Sequence, residues 1–138
     1  IYVMRPDGTE ERRITKGGLN VYTRFSPDSS QIVFTRQDKN GNGLWIAKID
    51  GSELHEVIPG EGASGAGAVG AACWSPDGKQ LAVHRYDWEI DEKGRKIKQA
   101  GNDHNDRIEI WEVSGGKEGR RLVLNGLQPF QIGHPEWR

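Results

Sequence analysis

The residues between positions 38 and 43 have the types and spacing of a calcium-binding loop. Asp38, Asn40, Asn42 and Gly43 match the start of the pattern D-x-[DN]-x-[DN]-G, in which alternate oxygen ligands and a glycine wrap the chain around a hard cation. The twelfth position of such a loop carries a bidentate Glu, but here it is Ile49. Two interpretations follow, a weak calcium site at Asp38, Asn40 and Asn42 or a polar turn joining two strands, and we favour the turn.

A second group of residues whose types could support binding lies between positions 87 and 107. From Glu89 to Lys98 an acidic stretch, a glycine and a basic stretch follow one another, as in a hairpin with cross-strand charge pairs. Trp88 lies at the base of this arm, and tryptophan is enriched at the energetic centres of protein interfaces. The segment is either a solvated hairpin or an arm that grips a partner protein. Its candidate binding residues are Trp88, Glu89, Asp91, Asp103 and His104.

Three histidines, His84, His104 and His134, are candidates for a metal site together with Asp103, but they share no close spacing. His134 is also a candidate binding residue, and the alternative is that it caps the entry to a strand. The serine-nucleophile pattern G-x-S-x-G does not occur in the sequence. We therefore predict no catalytic residue and, apart from the weak calcium site, no cofactor.

The elements that must position these residues are repeated. The segment Phe25-Ser26-Pro27-Asp28-Ser29 recurs as Trp74-Ser75-Pro76-Asp77-Gly78, an aromatic residue, a tight turn and then a short apolar strand. A hairpin begins at Ile1, recurs at Leu44 and recurs again at Ile108. The two kinds of unit alternate strictly, and four-stranded repeats of about 40–45 residues are typical of β-propeller blades.

We label the four strands of one unit a to d, with the Ser-Pro-Asp (SPD) turn between a and b. The chain then reads c-d, a-b-c-d, a-b-c-d, a, which predicts an all-β propeller segment of four-stranded antiparallel blades, two complete and two partial. The predicted blades are 1–18 (strands c and d), 19–62, 63–126 with the b–c insert 87–107, and 127–138 (strand a). Within the Gly/Ala tract 60–72, residues 65–70 are predicted to be a flexible d–a connection.

These motifs resemble the WD-repeat-like blades of TolB-type β-propellers. The resemblance covers positions 1–58 and 72–137 apart from the insert. Similar blades occur in periplasmic TolB, in propellers attached to prolyl-oligopeptidase-type serine hydrolases and in oligogalacturonate lyases, whose His-bearing entry strand is similar to positions 133–137. The resemblance implies a periplasmic or extracellular location, but the fold alone does not select one of these functions.

Antiparallel strands place the a–b and c–d turns on one face of the propeller disc, which we call the turn face. The b–c and d–a connections lie on the opposite face, the loop face. The irregular segments, including 38–43, 87–107 and 128–134, all fall on the loop face, where binding is usually found on a repeated scaffold. We predict a non-enzymatic module that binds a protein partner there; the alternative is the propeller portion of a hydrolase or of a metal-dependent lyase.

Composition limits the classes of partner. With 19 basic and 20 acidic residues the net charge is -1, which argues against non-specific binding to nucleic acid. No run of 18 apolar residues occurs, so the sequence predicts no membrane span. A blade buries both faces only between two other blades, so further blades of the same propeller, or other copies of this chain, are also predicted partners.

Overall fold

The computed structural model describes residues 1–39, 41–60, 67–87, 92–93, 107–114 and 119–124. Within these ranges the chain forms ten β-strands. They are β1 (Tyr2–Val3), β2 (Arg12–Arg13), β3 (Leu19–Phe25), β4 (Gln31–Asp38), β5 (Gly41–Lys48), β6 (His55–Ile58), β7 (Gly67–Trp74), β8 (Gln80–Asp87), β9 (Arg107–Glu112) and β10 (Arg120–Leu124). In the same ranges, no helix has the length and apolar character needed to cross a membrane.

The strands form one hairpin and two four-stranded sheets. β1 pairs with β2, β3 to β6 form the first sheet in sequence order, and β7 to β10 form the second. Every pairing is antiparallel. This is the predicted order c-d, a-b-c-d, a-b-c-d, so the all-β propeller fold class is confirmed. The strand predicted within 127–138 lies outside the described residues, and the blade boundaries stay predictions.

Alternation along the strands gives the first sheet two buried faces. One face packs on the β1–β2 hairpin through Ile14, Ile32, Phe34 and Ala47. The other packs on the second sheet in a larger cluster that includes Val33, Leu44, Ile46, Val69, Leu81 and Trp111. Adjacent residues of β4, such as Val33 and Phe34, therefore belong to different clusters, as expected of a strand with period two that is covered on both sides.

Strand β7 begins earlier than predicted. Residues 67–70, predicted to be flexible, form the first half of this strand, and the chain from Ala68 to Ala72 is buried. The prediction was wrong because the small residues serve close packing here. A Cβ added to Gly70 would lie only 2.7 Å from Nδ1 of His84, and the Gly70 carbonyl accepts a hydrogen bond from Thr35 Oγ1 on the first sheet at 2.5 Å.

Candidate functional site

The two SPD turns are built from the same hydrogen bonds. Ser26 Oγ donates to Asp28 Oδ1 at 2.6 Å, and Ser75 Oγ donates to Asp77 Oδ1 at the same distance of 2.6 Å. The Ser30 amide also donates to Asp28 Oδ1, at 3.0 Å. The hydrogen bond from Ser26, and then those from Ser30, lower the pKa of Asp28 to about 2. These carboxylates cap their turns.

The acid stability of the fold depends on these turns. A carboxylate whose pKa is lowered by folding stabilises the folded state above its unfolded pKa, and this stabilisation is lost as the pH falls through the folded value. For Asp28 the window runs from its ordinary 3.8 down to about 2. We expect the Tm to fall across this window. The Asp28→Asn/Asp77→Asn double variant should have a lower Tm at pH 7 and a shallower fall below pH 4 by calorimetry, and parallel curves would contradict this role.

The c–d turns use their aspartates in the same way. The Thr9 amide donates to Asp7 Oδ1 at 2.9 Å, and the Ser52 amide donates to Asp50 Oδ1 at 2.8 Å. Hydrogen bonds from these residues lower the pKa of both carboxylates. The four aspartates thus accept hydrogen bonds within their own turns. On the turn face, these carboxylates have a structural role.

Ser29 has the backbone conformation of its equivalent in the second SPD turn, Gly78. Their φ angles are +59° and +71°. Because a side chain in this left-handed region costs roughly 1–2 kcal/mol, we expect Ser29→Gly to raise the free energy of unfolding by about 1 kcal/mol. Gly78→Ser is the matched control and should lower it by a similar amount in urea denaturation. Shifts of the same sign in both variants would contradict the equivalence.

On the loop face, the b–c connection of the first sheet is a tight hairpin. The β4–β5 ladder runs without interruption from Gln31 and Lys48 to Asp38 and Gly41, leaving only positions 39 and 40 between the strands. Asp38 is exposed, while Asn42 is half-buried and its Nδ2 donates to Tyr86 Oη at 3.3 Å. Asp38 and Asn42 thus lie on the two strands of one hairpin. This is the geometry expected if the segment is a polar turn.

The remaining candidate residues fall in segments that the structure does not describe. Asn40 and the residues Trp88, Glu89, Asp91, Asp103, His104 and His134 lie outside the described residues. In the parts of the chain that the structure does describe, no group of three or more His, Cys, Asp or Glu side chains could hold a metal ion. The calcium site and the binding residues of the insert therefore stay predictions.

A buried charged cluster at the loop-face end of the second sheet was missed by sequence reasoning. Glu109 is 1% exposed and accepts hydrogen bonds from Arg107 Nε at 2.7 Å and from Trp111 Nε1 at 2.9 Å. Burial alone would raise the pKa of Glu109. The hydrogen bonds from Arg107 and Trp111 and the charges of Arg85 and Arg107 outweigh burial, so that the pKa is lowered. We call Arg85, Arg107, Glu109 and Trp111 the charged cluster.

The charged cluster has a counterpart in the first sheet that contains an arginine but no carboxylate. Arg36 occupies the position of Arg85, and Trp45 occupies that of Glu109. The Arg36 guanidinium stacks on the Trp45 ring at 4.4 Å, and its Nε donates to Asn20 Oδ1 at 2.9 Å. Both arginines are buried at the loop-face end of strand b. Because Arg36 and Arg85 occupy the same position in the repeat, the sequence contains a signal that could have identified them.

The charged cluster lies where the b–c insert leaves the second sheet. Arg85 and Arg107 are register partners, and they are the last pair of the β8–β9 ladder before the insert. Their charges converge on the buried carboxylate of Glu109. Both ends of the insert therefore leave from the paired strands β8 and β9, next to the attraction between Arg85 on β8 and Glu109 on β9.

Comparisons with known proteins show what this chain is similar to in sequence and in fold. No protein-family model matches the chain. A stretch of 40 residues, 29% of the chain, is 45% identical to the Tol-Pal system protein TolB of Myxococcus xanthus (strain DK1622) and spans 9% of that protein.

Among the solved structures that match nearly the whole chain are a TolB structure and the propeller domain of a protease. The putative TolB from Agrobacterium tumefaciens aligns with a TM-score of 0.65 and 24% identity over 93% of this chain and 42% of that one. The β-propeller domain of the Trilobed protease from Pyrococcus furiosus aligns with a TM-score of 0.58 and 13% identity over 91% of this chain and 34% of that one. This chain thus spans less than half of each, and the likeness is one of fold.

Proposed function

We propose that this chain, which has the fold of the TolB-type β-propellers, is a non-enzymatic module that engages another protein through its loop face. The proposal rests on one observation, which is that the polar groups of the two faces have different roles. On the turn face, the four aspartates cap their own turns. On the loop face, Arg85 and Arg107, the last pair of the β8–β9 ladder, lie at the base of a long insert whose sequence is rich in charge and contains Trp88.

The candidate contacts are those predicted from the sequence. Trp88, Glu89, Asp91, Asp103, His104 and His134 would form the recognition surface, with Trp88 as the apolar anchor. A binding segment works best when it departs from a rigid scaffold, because less conformational entropy is lost on association. Calcium binding by Asp38, Asn40 and Asn42 is a separate proposal, which calorimetry with calcium would test.

The location that we propose is periplasmic or extracellular. It rests on the match to a Tol-Pal system protein and on the likeness to a TolB structure. Fractionation of the cells that make this chain would test it, and recovery in the cytosol would contradict it.

A second candidate is the propeller portion of a peptidase, which the likeness to the Trilobed protease propeller favours. The G-x-S-x-G pattern is absent from residues 1–138, so these residues would serve such an enzyme as its propeller only. A fluorophosphonate probe, which labels activated serines, separates the two candidates when applied to the natural protein. Labelling would favour the peptidase, and its absence the binding module.

Affinity capture with paired variants tests the proposed face. The chain is immobilised as the natural sequence, as a loop-face variant (Trp88→Ala with His104→Ala) and as a turn-face variant (Lys48→Ala with Glu53→Ala). We expect the loop-face variant to lose partner capture from an envelope extract by about tenfold or more, and the turn-face variant to retain it. The reverse pattern in variants with unchanged Tm would contradict the proposal.

A further inference from the structure

Arg36 is a buried charge at the loop-face end of the first sheet. It is 9% exposed, its guanidinium carbon lies 4.4 Å from the centre of the Trp45 ring, and its Nε donates to Asn20 Oδ1 at 2.9 Å. Among the described residues, its buried Nη2 has no hydrogen-bond partner. Glu56, on strand β6 of the same sheet, accepts a hydrogen bond from a backbone amide at 3.3 Å instead. An unpaired buried charge destabilises a folded protein, so a residue that keeps one is a candidate for function.

The second sheet shows how the repeat can neutralise this arginine. There, the equivalent residue Arg85 is attracted to the buried carboxylate of Glu109. In the first sheet the position of Glu109 is occupied by Trp45, and the register partner of Arg36 on strand β3 is Asn20. Trp45 and Asn20 orient the guanidinium but carry no charge. The first sheet therefore holds Arg36 in a fixed position and leaves its positive charge without the carboxylate that the second sheet supplies.

Two glycines cover the stem of the Arg36 side chain. Gly17 and Gly18 are exposed and have φ angles of +73° and +66°, which residues with a side chain rarely adopt. A Cβ added to Gly18 would lie 3.0 Å from Arg36 Cγ, whereas nothing lies within 4 Å of one added to Gly17. The Asn20 side-chain amide donates to the carbonyls of both glycines, at 3.0 and 3.2 Å. Displacement of this glycine segment toward solvent opens a route to the guanidinium.

We propose that Arg36 receives the carboxylate of a Glu or Asp side chain of the partner protein. This inference rests on the proposed binding through the loop face, and it names the chemistry that the partner presents there. A guanidinium binds a carboxylate through charge-assisted hydrogen bonds, and its planar fork is already oriented here by Trp45 and Asn20. The donor is a side chain because Nη2 is buried, and an extended side chain can reach it while the partner's backbone stays outside the glycine segment.

Two blocked tripeptides, Gly-Glu-Gly and Gly-Gln-Gly, test the site in the full chain. They have nearly the same size and differ in one negative charge. We expect the Glu peptide to shift the NMR signal of the Arg36 Nε–H group in a saturable way, and the Gln peptide to leave this signal unchanged. Equal responses to the two peptides, or no response to either, would overturn the proposal. Because no natural partner is needed, this result is separate from the outcome of partner capture at the loop face.

The variants Arg36→Met and Arg85→Met form a matched pair, since they remove equivalent arginines. Arg36→Met removes an unpaired charge and keeps an apolar chain over Trp45, so the Tm should stay the same or rise. Arg85→Met takes a positive charge away from buried Glu109 and should lower the Tm by at least about 4 °C. In affinity capture, Arg36→Met should lose the partner by about tenfold or more. Equal losses of Tm in the two variants, or undiminished capture by Arg36→Met, would contradict a ligand-binding role for Arg36.

Discussion

Replacing Glu109 with alanine is expected to lower the free energy of unfolding by about 3–5 kcal/mol, the range measured when one member of a buried ion pair is removed. The Glu109 side chain is 1% exposed and the Arg107 side chain 18% exposed, so water would not replace the lost carboxylate around the arginines. The Trp111 indole N–H would also lose its acceptor. For a domain of ordinary stability, this change approaches the whole free energy of folding.

Two controls separate charge from shape. Glu109→Gln keeps an acceptor for Trp111 and nearly the same volume, but it removes the negative charge beside two guanidinium groups. It should therefore lower the free energy of unfolding, but by less than Glu109→Ala does. Glu112→Ala removes a partly exposed carboxylate that accepts a hydrogen bond from Gln80, and it should cost about 1 kcal/mol or less. Equal costs for Glu109→Ala and Glu112→Ala in guanidinium denaturation would show that the charged cluster does not stabilise the sheet.

Replacing Trp74 with alanine is expected to cost about 3–5 kcal/mol, as is usual for a buried tryptophan. The indole belongs to the core cluster between the two sheets, so its loss leaves a cavity in the interface between two blades. Phe25→Ala, at the equivalent position of the preceding unit, should cost about 1 kcal/mol because the ring is already 54% exposed. Urea denaturation of both variants measures the difference, and similar costs would contradict the distinction between a covered and an uncovered site.

The repeat made the fold predictable. Alternating SPD turns and hairpins fix the order of strands, because each turn residue has a local role that does not depend on distant contacts: Pro27 sets φ and Asp28 accepts the hydrogen bonds of its turn. The apolar alternation of β4 and β5 then leaves few ways to pair them. Strand order and pairing followed from the sequence for these reasons.

Other features depend on contacts between units that local patterns do not encode. The Gly/Ala tract looked flexible, but residues 67–72 are small because β7 packs closely against His84 and the first sheet. Glu109 occupies the position that Trp45 has in the first sheet. Its burial follows from Arg85 and Arg107, which come from two strands separated by the insert. The proposed binding residues sit in segments whose lengths differ between the repeats, so the repeat does not predict their positions.

Site-specific photo-crosslinking is the most direct test of the claim that this propeller module binds through its loop face. A benzophenone side chain is introduced at Lys39, exposed on the loop face, or at Ser52, exposed on the turn face, and the protein is irradiated in the cells that make it. The proposed function predicts a discrete protein adduct from position 39 and none from position 52. An adduct from position 52 alone would contradict it.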